Sequence, residues 1–332
     1  MLGALWALGR WRKKTVSRDE WWLLAGLALL SPLLHIAMDF ANNYGVHPFW
    51  PLYDGWLYGD SFFILEPSFW LVLIAPLVFS YRSRVVRAAL WLVLVAALGA
   101  LWYRPFVPRG NALALGLLTL GLLVLARRRT PFARTLIASA GFALVGVAFV
   151  VGSRSVKQRV RARAESAFPA AHTLDVVATP MPANPFCWSV LLLQTEGDEY
   201  AVRIGRAALW PAWLSLASCT FDHGATPTAP LRDITLESEP HLLLDREYRV
   251  SLDEFRSVVS EQCPARALLR FARVPYLGEP EADGSRVMGD LRYDRKPGLD
   301  FSDVRLTEAQ KSRCPDYLPA WLPPRGDLIP NP

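Results

Sequence analysis

The 332 residues are 52% hydrophobic and only 20% charged, with 13 tryptophans, which excludes a disordered tail, a collagen-like fibre and a small scaffold held by disulfides alone. The formal charge of +6 is unevenly spread: residues 1 to 154 hold 15 Lys and Arg against 6 Asp and Glu, residues 155 to 332 hold 21 against 24. The basic excess thus belongs to the hydrophobic half, which argues against a domain that neutralises phosphates, and no nucleic-acid partner is expected.

In chain order, Leu2 to Gly9 is an apolar stub followed by a basic cluster, Arg10 to Arg18. A signal peptide has the reverse order and the stub is too short to span, so it reads as the last turns of a helix or as an interfacial anchor held by Trp6 and Trp11. Residues 1–20 form a basic N-terminal segment. Long apolar runs then recur at Trp21 to Phe40, Phe62 to Tyr81, Ala88 to Tyr103, Ala112 to Ala126 and Leu136 to Gly152. No Lys or Arg lies between Arg18 and Arg82, and the runs lack the polar face of a soluble amphipathic helix. Residues 21–154 therefore read as a mainly α integral membrane domain of about five transmembrane helices, with the lipid bilayer as partner.

Basic residues set the orientation. Arg10, Arg12, Lys13, Lys14, Arg18, Arg82, Arg84, Arg87, Arg127 to Arg129 and Arg134 fall on one side, while the loop from Ala41 to Ser61 has no base. The positive-inside rule makes the first side cytoplasmic, in a bacterial inner membrane, and five spans put the C-terminal half outside.

After Arg154 to Arg163, a solvated helix continuing the fifth span, the pattern alternates. Thr173 to Thr179, Trp188 to Thr195, Tyr200 to Ile204, Tyr248 to Ser251, Arg286 to Tyr293 and Asp303 to Leu306 read as strands. Leu252 to Ala272 reads as a helix broken at Cys263-Pro264. Residues 155–314 thus form an extracytoplasmic α+β, mostly antiparallel β, domain, and residues 315–332 a Pro-rich tail. All four cysteines (Cys187, Cys219, Cys263, Cys314) fall in this domain, which permits two disulfides in any of three connectivities or four buried thiols. His172, His223 and His241 are scattered, and no Gly-x-Ser-x-Gly, P-loop or His-Glu-x-x-His element occurs.

Chemistry concentrates in the first span, where His35 and Asp39 share one helical face. Ionisable groups within a span are costly and mark functional sites. The pair can ligate a divalent metal or fix helix packing, and the spacing favours neither. Asn42, Asn43, His47, Asp54, Asp60 and Glu66 follow with no nearby base, a field that favours a cation. Asp60 and Glu66 are the better candidates, because an unpaired carboxylate at the mouth of the second span would be expensive; His47 is as readily an ordinary loop residue. The aromatics crowding this stretch suit an interfacial belt or a stacking surface.

The run His35-Ile-Ala-Met-Asp39-Phe-Ala-Asn42-Asn43-Tyr44-Gly45, with Trp56-Leu-Tyr58-Gly-Asp60 and Glu66-Pro67, resembles the YdjM/YfhP family of membrane-bound, metal-dependent hydrolases. Pro182-Ala-Asn184-Pro185-Phe186-Cys-Trp188, Arg270-Phe-Ala-Arg273-Val-Pro275 and Gly289-Asp290-Leu291-Arg292-Tyr293 extend the likeness. It implies a divalent-metal cofactor, Zn by preference, with His35, Asp39 and Asp60 as ligands and Asn43, Glu66 and His47 in support. The implied substrate is a phosphoester near the lipid interface. Members of that family usually begin with further His and Asp elements, including Asp-His-Arg-x-x-Thr-His-Ser, that are not in this sequence. The competing expectation is therefore a non-catalytic binding or scaffold protein without a complete metal site.

Overall fold

The computed structural model describes residues 17–103, 107–219, 227–236, 239–294, 298–314, 319 and 321–329. The Leu2 to Gly9 stub, Trp6, Trp11, the Arg10 to Lys14 cluster, Arg104, His223 and part of the Pro-rich tail lie outside them.

Four helices are long and apolar enough to cross a membrane: α1 (Arg18–Ala41), α3 (Arg84–Tyr103), α4 (Arg109–Arg127) and α5 (Pro131–Ala167). At about 1.5 Å per residue even the shortest approaches the ~30 Å of a hydrocarbon core. The expected second span is different. Helix α2 (Pro67–Leu77) has 11 residues, because Pro67 starts it late and the residues before it are drawn into a loop. It sits at the centre of the bundle, with Leu71 and Ala75 fully buried, packed against α3, α4 and α5. Outward-facing residues such as Leu92, Leu117, Val124 and Leu144 are exposed, as a lipid-facing surface requires.

Sequence signals place the helix ends. Ser17 and Glu20 form a reciprocal capping box on α1, and Thr130 with Pro131 opens α5. At the same end of the bundle Arg134 donates to the carbonyls of Ala126, Arg127 and Phe79. It thereby satisfies the last turn of α4 and the chain just beyond α2, a role a charge count cannot show.

Helix α5 continues well past the apolar run and carries the second domain. There β1 (His172–Met181), β2 (Asn184–Glu196), β3 (Glu199–Ala208), β4 (Arg232–Asp233) and β5 (Leu242–Ser251) form an antiparallel sheet of order β1-β2-β3-β5-β4. Helices α6 (Leu252–Glu261) and α7 (Cys263–Leu269) follow, then a three-stranded sheet of β6 (Pro275–Leu277), β7 (Arg286–Asp290) and β8 (Val304–Leu306). The period of two sorts the main sheet. Val176, Ala178, Val190 and Leu192 pack on Val156 and Val160 of α5, while Val177, Leu191, Leu193 and Val202 pack on α6, α7 and the small sheet. Both faces are covered, which explains the nearly continuous apolar run of β2.

Trp188 is fully buried, and a Cβ on Gly152 would lie 2.8 Å from its ring. Only glycine lets the sheet approach α5 this closely. The cysteines pair as Cys187–Cys219 and Cys263–Cys314. The first ties β2 to the segment after β3; the second ties the start of α7 to the C-terminal segment. The first four expected strands are present and longer, the last two are present but shorter, ending at Asp290 and starting at Val304, and the helix break falls at Gln262.

Candidate functional site at the membrane seam

The segment after α1 folds back on the helix end. The backbone N–H groups of Gly59, Ser61 and Phe62 donate to Phe40 and Ala41, and Val46 pairs with Leu57. Gly59 is required by this closure, since a Cβ there would meet the Phe40 carbonyl at 2.6 Å. Asp60 follows with a positive φ of 48°, a region that Asp and Asn tolerate best among non-glycine residues.

This geometry turns the Asp60 carboxylate away from water and into the β domain. It accepts two bonds from Arg273, at 2.7 and 2.9 Å, and one from Lys157 of α5. Arg273 also donates to Asp175 at 2.8 Å, and its guanidinium lies 3.9 Å from the centre of the Tyr58 ring. Asp60 and Arg273 are both buried. Burial works against the Arg273 charge, yet Asp60 and then Asp175 raise its pKa above the ordinary arginine value. Burial would likewise raise the Asp175 carboxyl, but Arg273, then Arg325 and Lys157, bring it down to about 2.

A second buried pair lies beside the first. Arg292 grips Asp290 through two of its nitrogens and donates to the Asn43 carbonyl, while Asp290 accepts from the Arg273 backbone. The Asn43 side chain donates to Thr179 at 2.9 Å. Glu66 caps α2 through Ser68 N–H and accepts Ala183 N–H, at 3.0 and 3.1 Å, joining α2 to the β1–β2 turn. Asn43, Tyr58, Asp60 and Glu66 therefore form one plate on which the β domain sits, with Asn42 bracing it from within through Tyr44 N–H.

The remaining site candidates lie apart. His35 Nε2 and Asp39 Oδ2 are 3.3 Å apart on α1, with side chains 78% and 46% exposed, and the apolar stretch of α1 is not covered by protein. His47 stacks on Trp321 and meets Trp56 edge-on, with ring centres 4.9 and 3.9 Å away, and Asp54 lies at 3.7 Å; burial lowers its pKa. Among the described residues no three His, Cys, Asp or Glu side chains come together in a way that could hold a metal ion. His35 and Asp39 offer two donors on one face, which fits part of a cation site. Asp60 does not fit, because two cationic side chains already occupy its oxygens.

Next to the plate a crevice of about 340 Å³ opens, lined by Asn43, Tyr44, Phe63, Tyr293, Asp300 and Phe301 among others. Tyr44 stacks on Tyr293 and Phe301 tilts against it, at 5.4 and 5.0 Å between ring centres. The Tyr293 hydroxyl is buried without a hydrogen-bond partner among the described residues. Ile64 and Phe301 of its lining are exposed at the rim. Sequence reasoning missed Tyr293, Asp300 and Phe301 as site residues, since they lie about 250 positions from Asn43.

Helical spans, a capped membrane plate and a disulfide-bonded β domain define an integral membrane protein with an attached antiparallel domain. Residues 1–108 match the family model described as YdjM inner membrane protein, so this part of the chain is similar to that family. That match holds α1, the plate and α2, and ends before α4. No curated protein and no solved structure matches significantly.

Proposed function

We propose that this chain is an inner-membrane binding or scaffold protein that receives an amphipathic ligand in the seam crevice, with the β domain held rigidly beside it. The crevice carries the reading: aromatic walls, an unpartnered buried hydroxyl on Tyr293 and an apolar rim. Asp300 is in its lining and no basic side chain is, so the head it accepts is neutral or cationic, with the aromatic faces contributing. The test is binding of dodecyltrimethylammonium against dodecyl phosphate by the purified protein. Preference for the ammonium, weakened at least about fivefold by Tyr44→Ala and Phe301→Ala, supports the reading. Equal binding of both amphiphiles, unchanged in the variants, would remove it.

A second reading is favoured by the short His35–Asp39 separation. Here the chain is a metal-dependent hydrolase acting on phosphoesters near the lipid interface, with His35 and Asp39 holding a divalent ion, Zn by preference, beside ligands from elsewhere. Such an ion would lower the pKa of a bound water and polarise the ester. Elemental analysis of the purified chain beside His35→Ala and Asp39→Ala separates the readings: stoichiometric metal lost in both variants supports the hydrolase, and metal at background in the wild type rejects it. In either case we propose a cytoplasmic N-terminus and an extracytoplasmic β domain, with the α2 segment carrying the chain from Glu66 at the plate to Phe79 at the Arg134 end, so that five crossings separate the two. A periplasm-active reporter fused after Ser155 should be active, and a silent one would reverse the topology.

A further inference from the structure

Helix α5 bears five cationic residues just beyond its apolar run: Arg154, Lys157, Arg159, Arg161 and Arg163. Three are paired with the protein. Lys157 bonds Asp60, Arg159 meets His241 at 2.8 Å, and Arg163 pairs with Glu239 at 3.2 Å. The opposite stripe, Ser153, Val156, Val160 and Ala164, is buried against the sheet. Arg154 and Arg161 point away from it, are exposed, and have no ionic partner among the described residues. With Lys157, Gln158 and Glu165 they line a shallow open groove of about 430 Å³ between side chains of α5 alone.

Depth decides what this groove meets. The apolar run ends at Gly152, so at about 1.5 Å per residue Arg154 stands roughly 3 Å and Arg161 roughly 13 Å beyond it. The headgroup layer extends about 5 to 8 Å past the hydrocarbon. Side chains on a helix lean toward its N-terminus, which on α5 is toward the bilayer, and a long arginine spans the remaining distance. Glu165 lies a further turn out, so the end of the groove nearest the membrane is cationic.

We propose that this groove is a binding site for the phosphate of an anionic phospholipid in the leaflet on the β-domain side. Two guanidiniums and the Gln158 amide supply the donors, and arginine forks suit phosphate oxygens. The site is independent of the seam crevice, whose lining contains no base. An anionic lipid held there would also sit beside Lys157, the α5 residue that bonds the plate.

Native mass spectrometry of the purified chain, titrated with phosphatidylglycerol or phosphatidylcholine in the same detergent, tests this. The wild type should hold phosphatidylglycerol preferentially. At roughly fivefold per arginine the Arg154→Gln/Arg161→Gln variant should lose more than tenfold of that preference while keeping the wild-type melting temperature. Arg232→Gln/Arg313→Gln, which removes the same charge far along the chain, should lose little. Equal preference in wild type and the α5 variant, or an equal loss in the control, would overturn the site. Displacement of the lipid by equimolar glycerophosphoglycerol would overturn the lipid as its occupant.

Discussion

Replacing Asp60 with Asn removes one charge while keeping shape and tolerance of a positive φ. In the native protein that carboxylate takes two bonds from Arg273 and one from Lys157. An amide can accept from one donor but turns its own N–H₂ toward the other, leaving Arg273 with Asp175 alone. Removing one partner of a buried ion pair costs about 3 to 5 kcal/mol, chiefly through the uncompensated charge left behind. The side chains of Asp60 and Arg273 are 0% and 3% exposed, so little solvent screening applies. We expect a loss of about 3 kcal/mol in urea unfolding of the β domain in mild detergent, followed by tryptophan fluorescence. Arg273→Gln should cost a similar amount, and the double variant less than the sum, because each change removes the other's stranded charge. Stability within 0.5 kcal/mol of the wild type for Asp60→Asn, together with loss of bound metal, would refute the clamp and restore Asp60 as a ligand.

Three further outcomes follow from the same contacts. Asp175 has a folded pKa of about 2 against an ordinary 3.8, so its contribution, about 2 kcal/mol, is complete above pH 4 and is lost as pH falls toward 2; Asp175→Asn should flatten that part of the acid-unfolding curve. Gly152→Val should cost about 1 to 3 kcal/mol by pushing Trp188 off α5, read as a lower midpoint; an unchanged midpoint would show that the helix and sheet have room to separate. Opening Cys263–Cys314 with Cys263→Ser/Cys314→Ser releases a loop with a sequence separation of 51, worth about 4 kcal/mol in the chain-entropy picture, and should lower the midpoint more than removing Trp321; equal midpoints with and without reductant in the wild type would refute the pairing.

Local physics made part of this protein legible in its sequence. Apolar runs without charge dictated the four long helices, since unpaired backbone groups in lipid leave no alternative to helix. Alternation in β1 and β2 and the break before Pro264 were equally readable. His35 and Asp39 were correctly placed on one face, because four residues make about one turn. What only the tertiary structure decided depends on separation along the chain. Asp60 reads as a ligand while its neighbours alone are considered, and its true partner, Arg273, lies 213 positions away. The second apolar run, Phe62 to Tyr81, reads as one long helix, whereas the chain before Pro67 folds back on the end of α1 and leaves α2 with 11 residues. Arg134 counted as a loop charge until three carbonyls converged on it. Composition and periodicity describe what each segment tolerates. Which cation neutralises which buried carboxylate is set by how the β domain lands on the membrane plate, and no local pattern records that.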